Sequence, residues 1–198
     1  MHFTLTDLVT DITQNGAESG ADLVELEIRE IVGSVEQSSI KQSSLGQGEF
    51  RFTVKDNGKG MTNEELKRAQ DPFFTDGIKH PRRKVGLGIP FLIQTAELSG
   101  GGWEMESEKG KGTRVSAWFD LGNVDTPQTG DIPGMLRTVL LFNGPAEIVI
   151  RRLRETPEGR VDYEARKTEL SDALGDLETT QSLILLDEYL RSQEESVE

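Results

Sequence analysis

Leu5, Leu8, Val9 and Ile12 recur at helical spacing, and Thr4 or Thr6 ahead of them can cap a helix that starts near Asp7. Asp11, Asn15 and Glu18 follow at i, i+4 and i+7, so they share one face beside the apolar stripe. Ser19-Gly20 ends that helix. The period then drops to two. Leu23 to Ile31 alternates through Val24, Leu26 and Ile28 and predicts a strand. Gly33 to Gly48 is rich in Ser, Gln and Gly and reads as a long, mobile hairpin connection. Phe50, Phe52 and Val54 then line one face of a returning strand that leads into Asp56. Thr62 and Glu65 have capping-box spacing for a short helix to Gln70. A further helix is predicted from about Leu87 to Leu98, with Leu87, Phe91, Leu92, Thr95 and Leu98 as its buried side. Gly100-Gly101-Gly102 breaks it. Trp103 to Ser107 and Thr113 to Leu121 predict two strands joined by a turn at Lys109-Gly110-Lys111-Gly112.

Beyond Thr126 the pattern changes again. Asp131 and Pro133 open a helix with Met135, Leu136, Val139, Leu140 and Phe142 as its apolar set, stopped by Asn143-Gly144. Glu147 to Leu153 alternates as a strand, and Val161 to Tyr163 returns after Pro157-Glu158-Gly159. Helices follow from about Ala165 to Leu174 and from Thr179 to Ser192, and Glu194 to Glu198 forms a frayed acidic tail. The first 122 residues thus read helix, two strands, helix, loop, helix, two strands. That order predicts an α+β fold, a two-layer sandwich whose mixed, mostly antiparallel sheet is covered on one face by helices. Residues 1–124 form one expected domain and 125–198 a small helix-strand-strand-helix extension.

Composition narrows the function classes. The chain has 198 residues and a formal net charge of −13, which argues against general nucleic-acid binding. With no cysteine, disulfides and thiolate metal sites are excluded. No apolar run reaches membrane-spanning length, and Met1-His2-Phe3 does not open a signal peptide, so a soluble, cytoplasmic protein is expected. Positive charge clusters at Lys79, His80, Arg82, Arg83 and Lys84, and again at Arg151, Arg152 and Arg154. The second cluster reads as a solvated face.

Three glycine clusters and an aromatic one stand where strands or helices should end: Asp56-Asn57-Gly58-Lys59-Gly60-Met61, Pro72-Phe73-Phe74-Thr75, Gly86-Leu87-Gly88, and Gly110-Lys111-Gly112-Thr113. Glycine serves where backbone turns tightly or approaches a ligand, and repeated turns of this kind suggest a nucleotide held largely by main chain. In this order, and with Asp11 and Asn15 on the first helix, the motifs resemble the GHKL ATPase superfamily of histidine kinases, type II topoisomerases, mismatch-repair ATPases and ninety-kilodalton heat-shock chaperones. The resemblance covers about Thr4 to Leu121. One D-x-G-x-G alone carries little weight; four motifs in register have no common fold-neutral explanation.

The resemblance implies a Bergerat-type fold that binds ATP with Mg²⁺. Asn15 matches the asparagine whose side-chain oxygen ligates Mg²⁺, and Asp11 matches the general base for water, usually the longer glutamate. Asp56 matches the aspartate that accepts from the adenine amino group, with Gly58 and Gly60 letting the loop approach the base. Met61 matches a wall of the base pocket, and Thr113 a threonine at the same edge of adenine. Phe73 and Phe74 would anchor an ATP lid over residues 75–86. Gly86 and Gly88 would set backbone N–H groups and a helix N-terminus at the phosphates. Arg83 or Lys84 would touch phosphate.

No phosphoacceptor histidine on a dimerising helix is found ahead of Asp11, since the two histidines are His2 and His80. A stand-alone form is therefore expected. It hydrolyses ATP slowly or passes phosphate to a partner protein that the C-terminal extension would hold. A different class of reading is a non-catalytic ATP-sensing regulator. A third is a subunit of an ATP-gated clamp, which leaves a homodimer open. Neither a nucleic acid nor a membrane is an expected partner.

Overall fold

The computed structural model describes residues 3–33, 48–71 and 88–195. Strands β1 (Leu23–Val32), β2 (Gly48–Asp56), β3 (Gly102–Glu108), β4 (Gly112–Asp120), β5 (Glu147–Thr156) and β6 (Gly159–Arg166) form one mixed sheet. Their spatial order is β3-β4-β2-β1-β5-β6. Neighbours run antiparallel except β1 and β5, which are parallel. The helices are α1 (Leu5–Ala17), α2 (Asn63–Gln70), α3 (Gly88–Leu98), α4 (Ile132–Leu140), α5 (Lys167–Leu174) and α6 (Thr180–Glu195). This is the α+β class with a mostly antiparallel mixed sheet. Among the described residues, no helix is long and apolar enough to cross a membrane.

Period-two alternation explains the layer. Leu26 faces Val54, and Val54 faces Val115; Ile28 faces Phe52, and Phe52 faces Ala117. These side chains are buried together with Ile148 and Ile150 of β5. The opposite face is charged. Glu25 pairs with Lys55 and Arg151, and Arg151 with Glu164, across three strand boundaries. The Glu25 carboxyl lies below its ordinary value: partial burial pushes it up, but bonds from Arg151 and Lys55 outweigh that.

Helix α1 begins at a reciprocal capping box between Thr4 and Asp7. Its next two donors, the N–H groups of Leu5 and Thr6, go to the carbonyls of Gln128 and Thr129. Thus a segment beyond the β4 end closes the start of the first helix. The expected stripe Leu5, Leu8, Val9 and Ile12 is wholly buried. Helix α3 departs from expectation. Phe91 and Leu98 are 40% and 59% exposed, and the buried set is Leu92, Thr95 and Ala96. The run Ile89-Pro90-Phe91-Leu92-Ile93 is apolar on every side, so spacing alone does not fix its phase. Phe91 packs edge-on against Phe3 instead, with ring centroids 4.5 Å apart.

The expected division at 124/125 falls inside a continuous sheet and core. β5 lies beside β1, and Leu136, Leu140, Leu186 and Leu190 join the same buried cluster as α1 and β2. The basic run of β5 corrects an expectation. Alternation turns Arg151 outward and Arg152 inward, where Arg152 is fully buried rather than solvated. Its guanidinium bonds Glu30 of β1, both oxygens of Glu194 on α6, and the Leu153 carbonyl. Tyr163 of β6 donates to Glu194 at 2.8 Å. Burial opposes the Arg152 charge, but the Glu194 and Glu30 carboxylates more than restore it. Burial and then Glu194 push the Tyr163 hydroxyl far above its usual range.

Candidate functional site

Asp56 is the last residue of β2 and only 6% exposed. A carboxylate buried this deeply requires donors, and Oδ1 has two. The Gly58 N–H donates to it at 2.8 Å and the Ser19 hydroxyl at 2.9 Å. Ser19 lies just past α1, with its Oγ also 2.7 Å from the Gly16 carbonyl. No donor meets Oδ2 among the described residues. Gly16 of α1 faces that oxygen, and a Cβ there would lie 3.7 Å from it.

The glycines of the Asp56 loop have a reason inside the protein. A Cβ at Gly58 would fall on Ser19 Oγ, and one at Gly112 on the Asp56 carbonyl oxygen. Either substitution would push the loop and the hairpin off the end of β2. The loop is stapled on both sides: the Lys59 N–H donates to the Ser19 carbonyl at 3.1 Å, and Gly110 donates to the Lys59 carbonyl at 2.8 Å. Gly60, at a φ of +55°, turns the chain directly after Lys59, which makes both contacts. Asn57 adds an anchor, its Oδ1 accepting the N–H groups of Asp22 and Leu23.

Thr113 stands directly opposite Asp56 across β2 and β4, and Ser107 stands opposite Thr113 across β3 and β4. Such cross-strand partners share a face, with Cβ atoms roughly 4.5–5.5 Å apart. Ser107 Oγ lies 2.9 Å from Thr113 Oγ1, accepts the Met61 N–H at 2.8 Å and reaches the Gly112 carbonyl at 3.0 Å. One serine therefore joins Met61 to Thr113. Nearby, Glu65 of α2 lies below its ordinary value because it accepts the Thr62 N–H and pairs with Lys109 of the hairpin.

On α1 itself, Asp11 in its middle and Asn15 in its last turn are exposed. Gly88 opens α3 against them: a Cβ at Gly88 would lie 3.7 Å from Asn15 Nδ2 and 3.8 Å from Asp11 Cβ. The α3 N-terminus, whose first N–H groups have no partner within the helix, is thus brought to these two side chains, a place that suits an anion. Asp11, Asn15 and Ser19 follow one another every four residues. One helix therefore touches both: Asn15 lies against Gly88 of α3, and the next residue, Gly16, lies against Asp56.

The structure therefore gathers Asp56, Gly58, Gly60, Met61 and Thr113 in one group and Asp11, Asn15 and Gly88 in another, with Gly16 of α1 between them. Phe73, Phe74, Arg83, Lys84, Gly86 and the expected lid lie outside the described residues. Ser19 is read from the sequence only as part of the end of the first helix, and Asn57 and Ser107 are not among the candidate site residues. Asn57 carries a signal, since Asn beside Gly is a turn residue whose side chain bonds backbone. Ser107 carries none. Among the described residues, no group of three or more His, Cys, Asp or Glu could hold a metal ion.

The family described as "Histidine kinase-, DNA gyrase B-, and HSP90-like ATPase" matches residues 3–123. Sporulation kinase E of Bacillus subtilis is 39% identical over 70 residues, which is 35% of this chain and 9% of that protein. Sensor histidine kinase ZraS of Escherichia coli O157:H7 is 28% identical over 123 residues, 61% of this chain and 26% of that one. The chain thus spans about a quarter or less of the length of these curated relatives. Among solved structures, the N-terminal domain of a DNA repair protein aligns with 88% of this chain and 57% of its own, at 12% identity and a TM-score of 0.49. The MutL ATPase domain of Aquifex aeolicus complexed with ADP aligns with 74% and 59%, at 17% identity and a TM-score of 0.36.

Proposed function

The chain belongs to the histidine kinase-, DNA gyrase B-, and HSP90-like ATPase family, and from that premise we propose that it binds Mg-ATP along α1, adenine at Asp56 and phosphates at Asn15 and Gly88. The observation that carries this reading is the state of Asp56. Its Oδ1 is fixed by two donors, while Oδ2 meets no donor among the described residues. An acceptor held ready in this way suits the exocyclic amine of adenine. Met61 walls the base, and Thr113 lies at its edge.

Asn15 offers the hard amide oxygen that Mg²⁺ favours. This cation binds through one or two protein oxygens plus phosphates, which fits a site without a carboxylate cage among the described residues. When bound, it neutralises charge on the phosphates. Lys84 and Gly86 would complete the phosphate contacts, and Phe73 would anchor the lid. Asp11 takes the proton of the water that attacks the γ-phosphorus as ADP leaves, giving slow hydrolysis. Alternatively the phosphoryl group passes to a partner protein. The extension offers such a partner Ile184 and Leu185 on α6, which are 55% and 40% exposed.

Calorimetric titration with ATP tests the binding reading. Asp56→Asn removes a charge-assisted hydrogen bond worth roughly 1.5–3 kcal/mol, so affinity falls about 10- to 150-fold while the melting temperature holds. Unchanged affinity sinks the adenine assignment. One observation favours a non-catalytic sensor instead: Asp11 is one methylene shorter than the glutamate usual at its position. Turnover of γ-labelled ATP, with free phosphate and protein-bound label counted separately, decides between them. Loss of turnover in Asp11→Asn with retained binding marks an enzyme; tight binding without turnover in the wild-type chain marks a sensor.

A further inference from the structure

Ser107 sits at a crossing of three hydrogen bonds, and its hydroxyl has one proton to give and two lone pairs to offer. The Met61 N–H takes one lone pair, at 2.8 Å. The Gly112 carbonyl, at 3.0 Å, can only accept, so it draws the Ser107 proton. The remaining contact, 2.9 Å to Thr113 Oγ1, is then made with Thr113 as the donor. This arrangement uses the full capacity of Ser107 and satisfies all three partners. In the reverse arrangement Ser107 would donate to Thr113, leaving one lone pair of the serine unused and the Gly112 carbonyl without this proton.

The consequence falls on Thr113. With its proton committed to Ser107, the hydroxyl has only lone pairs left for a ligand in the cross-strand row that Thr113 shares with Asp56. Asp56 Oδ2 is also an acceptor. Two acceptors side by side suit a group that carries two hydrogens, such as the 6-amino group of adenine. They repel a 6-keto purine, which would point oxygen lone pairs at both.

We propose that Ser107 is a specificity-determining residue: by fixing the hydroxyl of Thr113 as an acceptor, it makes the site favour 6-amino over 6-keto purine nucleotides. This rests on the ATP-binding reading and names a residue of the β3 edge strand that would not touch the nucleotide. Without Ser107, the Thr113 hydroxyl is free to turn and donate to a 6-keto oxygen.

Dissociation constants for ATP and inosine triphosphate, measured by calorimetry on the full chain, test this. Wild type prefers ATP. In Ser107→Ala the preference shrinks about three- to tenfold, the scale of one neutral hydrogen bond, and Ser107→Thr restores it because the hydroxyl is retained. Thr113→Val gives the same loss from the other side of the contact, and adding it to Ser107→Ala causes no further loss. An unchanged ratio of the two constants in Ser107→Ala, or additive losses in the double variant, overturns the proposal. If both nucleotides weaken equally, Ser107 is only a staple for Met61, and the proposal also fails. No ATP binding by wild type overturns the nucleotide reading itself, and this inference with it.

Discussion

The row that ends at Asp56 and the knot around Arg152 are both buried polar networks on the helix-covered face of one sheet, yet they are finished differently. Around Arg152 the groups consume one another. The guanidinium reaches two carboxylates and a carbonyl, and the Tyr163 hydroxyl closes on the same Glu194 oxygen that takes Arg152 Nε. Around Asp56 the pairing stops one atom short. Ser19 and Gly58 hold Oδ1, Ser107 holds Thr113, and Oδ2 meets no donor among the described residues. A network that saturates itself contributes to structure; one that fixes its members and leaves an acceptor over is, on the function proposed above, the one that meets a ligand. The two ought therefore to respond to mutation in separate currencies, folding in one case and binding in the other.

The largest effect expected is on folding. Arg152→Ala leaves Glu30 and Glu194 buried without their counter-charge, so stability in urea falls by about 3–5 kcal/mol. ATP affinity of the folded fraction stays at the wild-type value. Replacing the three charged members together, Arg152→Met with Glu30→Leu and Glu194→Leu, recovers most of the loss, because no unpaired charge is left. A loss of ATP affinity in the folded Arg152→Ala protein would break the distinction. Next in size is Asp56→Asn, with its cost of roughly 1.5–3 kcal/mol in binding. Here stability is the control that holds still.

How far the sequence disclosed these two networks depends on period. The apolar stripe of α1 and the Phe50, Phe52, Val54 alternation of β2 fix their phase unambiguously, and with it the position of Asp56 at a strand end. The motif glycines are legible because few other residues fit where backbone meets backbone. Phe91 and Leu98 lie at the surface against expectation because an apolar run has no polar side to orient it. Arg152 was hidden for the opposite reason. In Arg151-Arg152-Leu153-Arg154 a buried arginine stands between an exposed and a half-buried one, and only the neighbouring strands show which residue points inward. Ser107 is harder still, for a serine in a strand of alternating glutamates resembles surface. Its meaning lies in three partners at positions 61, 112 and 113, which only the sheet register brings together.

A smaller change sharpens the comparison within the binding network itself. Ser19→Ala removes one of the two donors on Asp56 Oδ1 and leaves the Gly58 N–H in place. ATP binding weakens by about 0.5–1.5 kcal/mol, or roughly two- to twelvefold, in titration calorimetry. The loss is smaller than in Asp56→Asn, because the carboxylate is loosened rather than replaced. If the two variants were equally impaired, the orientation of the carboxylate would matter as much as its charge.

The smallest effect is expected at Gly16, where the two currencies are most easily confused. Gly16 is buried in the last turn of α1, and glycine within a helix costs roughly 0.5–1 kcal/mol relative to alanine. An added methyl would meet Asp56 Cβ at 3.5 Å, Val54 Cγ1 at 3.6 Å and Asp56 Oδ2 at 3.7 Å, all ordinary contacts that require no shift. Gly16→Ala therefore raises stability in urea by about 0.5–1 kcal/mol, toward the lower end because the position is near the helix end. Binding tells what the glycine is for. If adenine approaches Oδ2 from the side away from α1, affinity stays within about twofold of wild type, the result expected from contacts this relaxed. A tenfold loss of affinity alongside the gain in stability would mean that the space beside Oδ2 belongs to the ligand, and that the binding network extends into the helix itself.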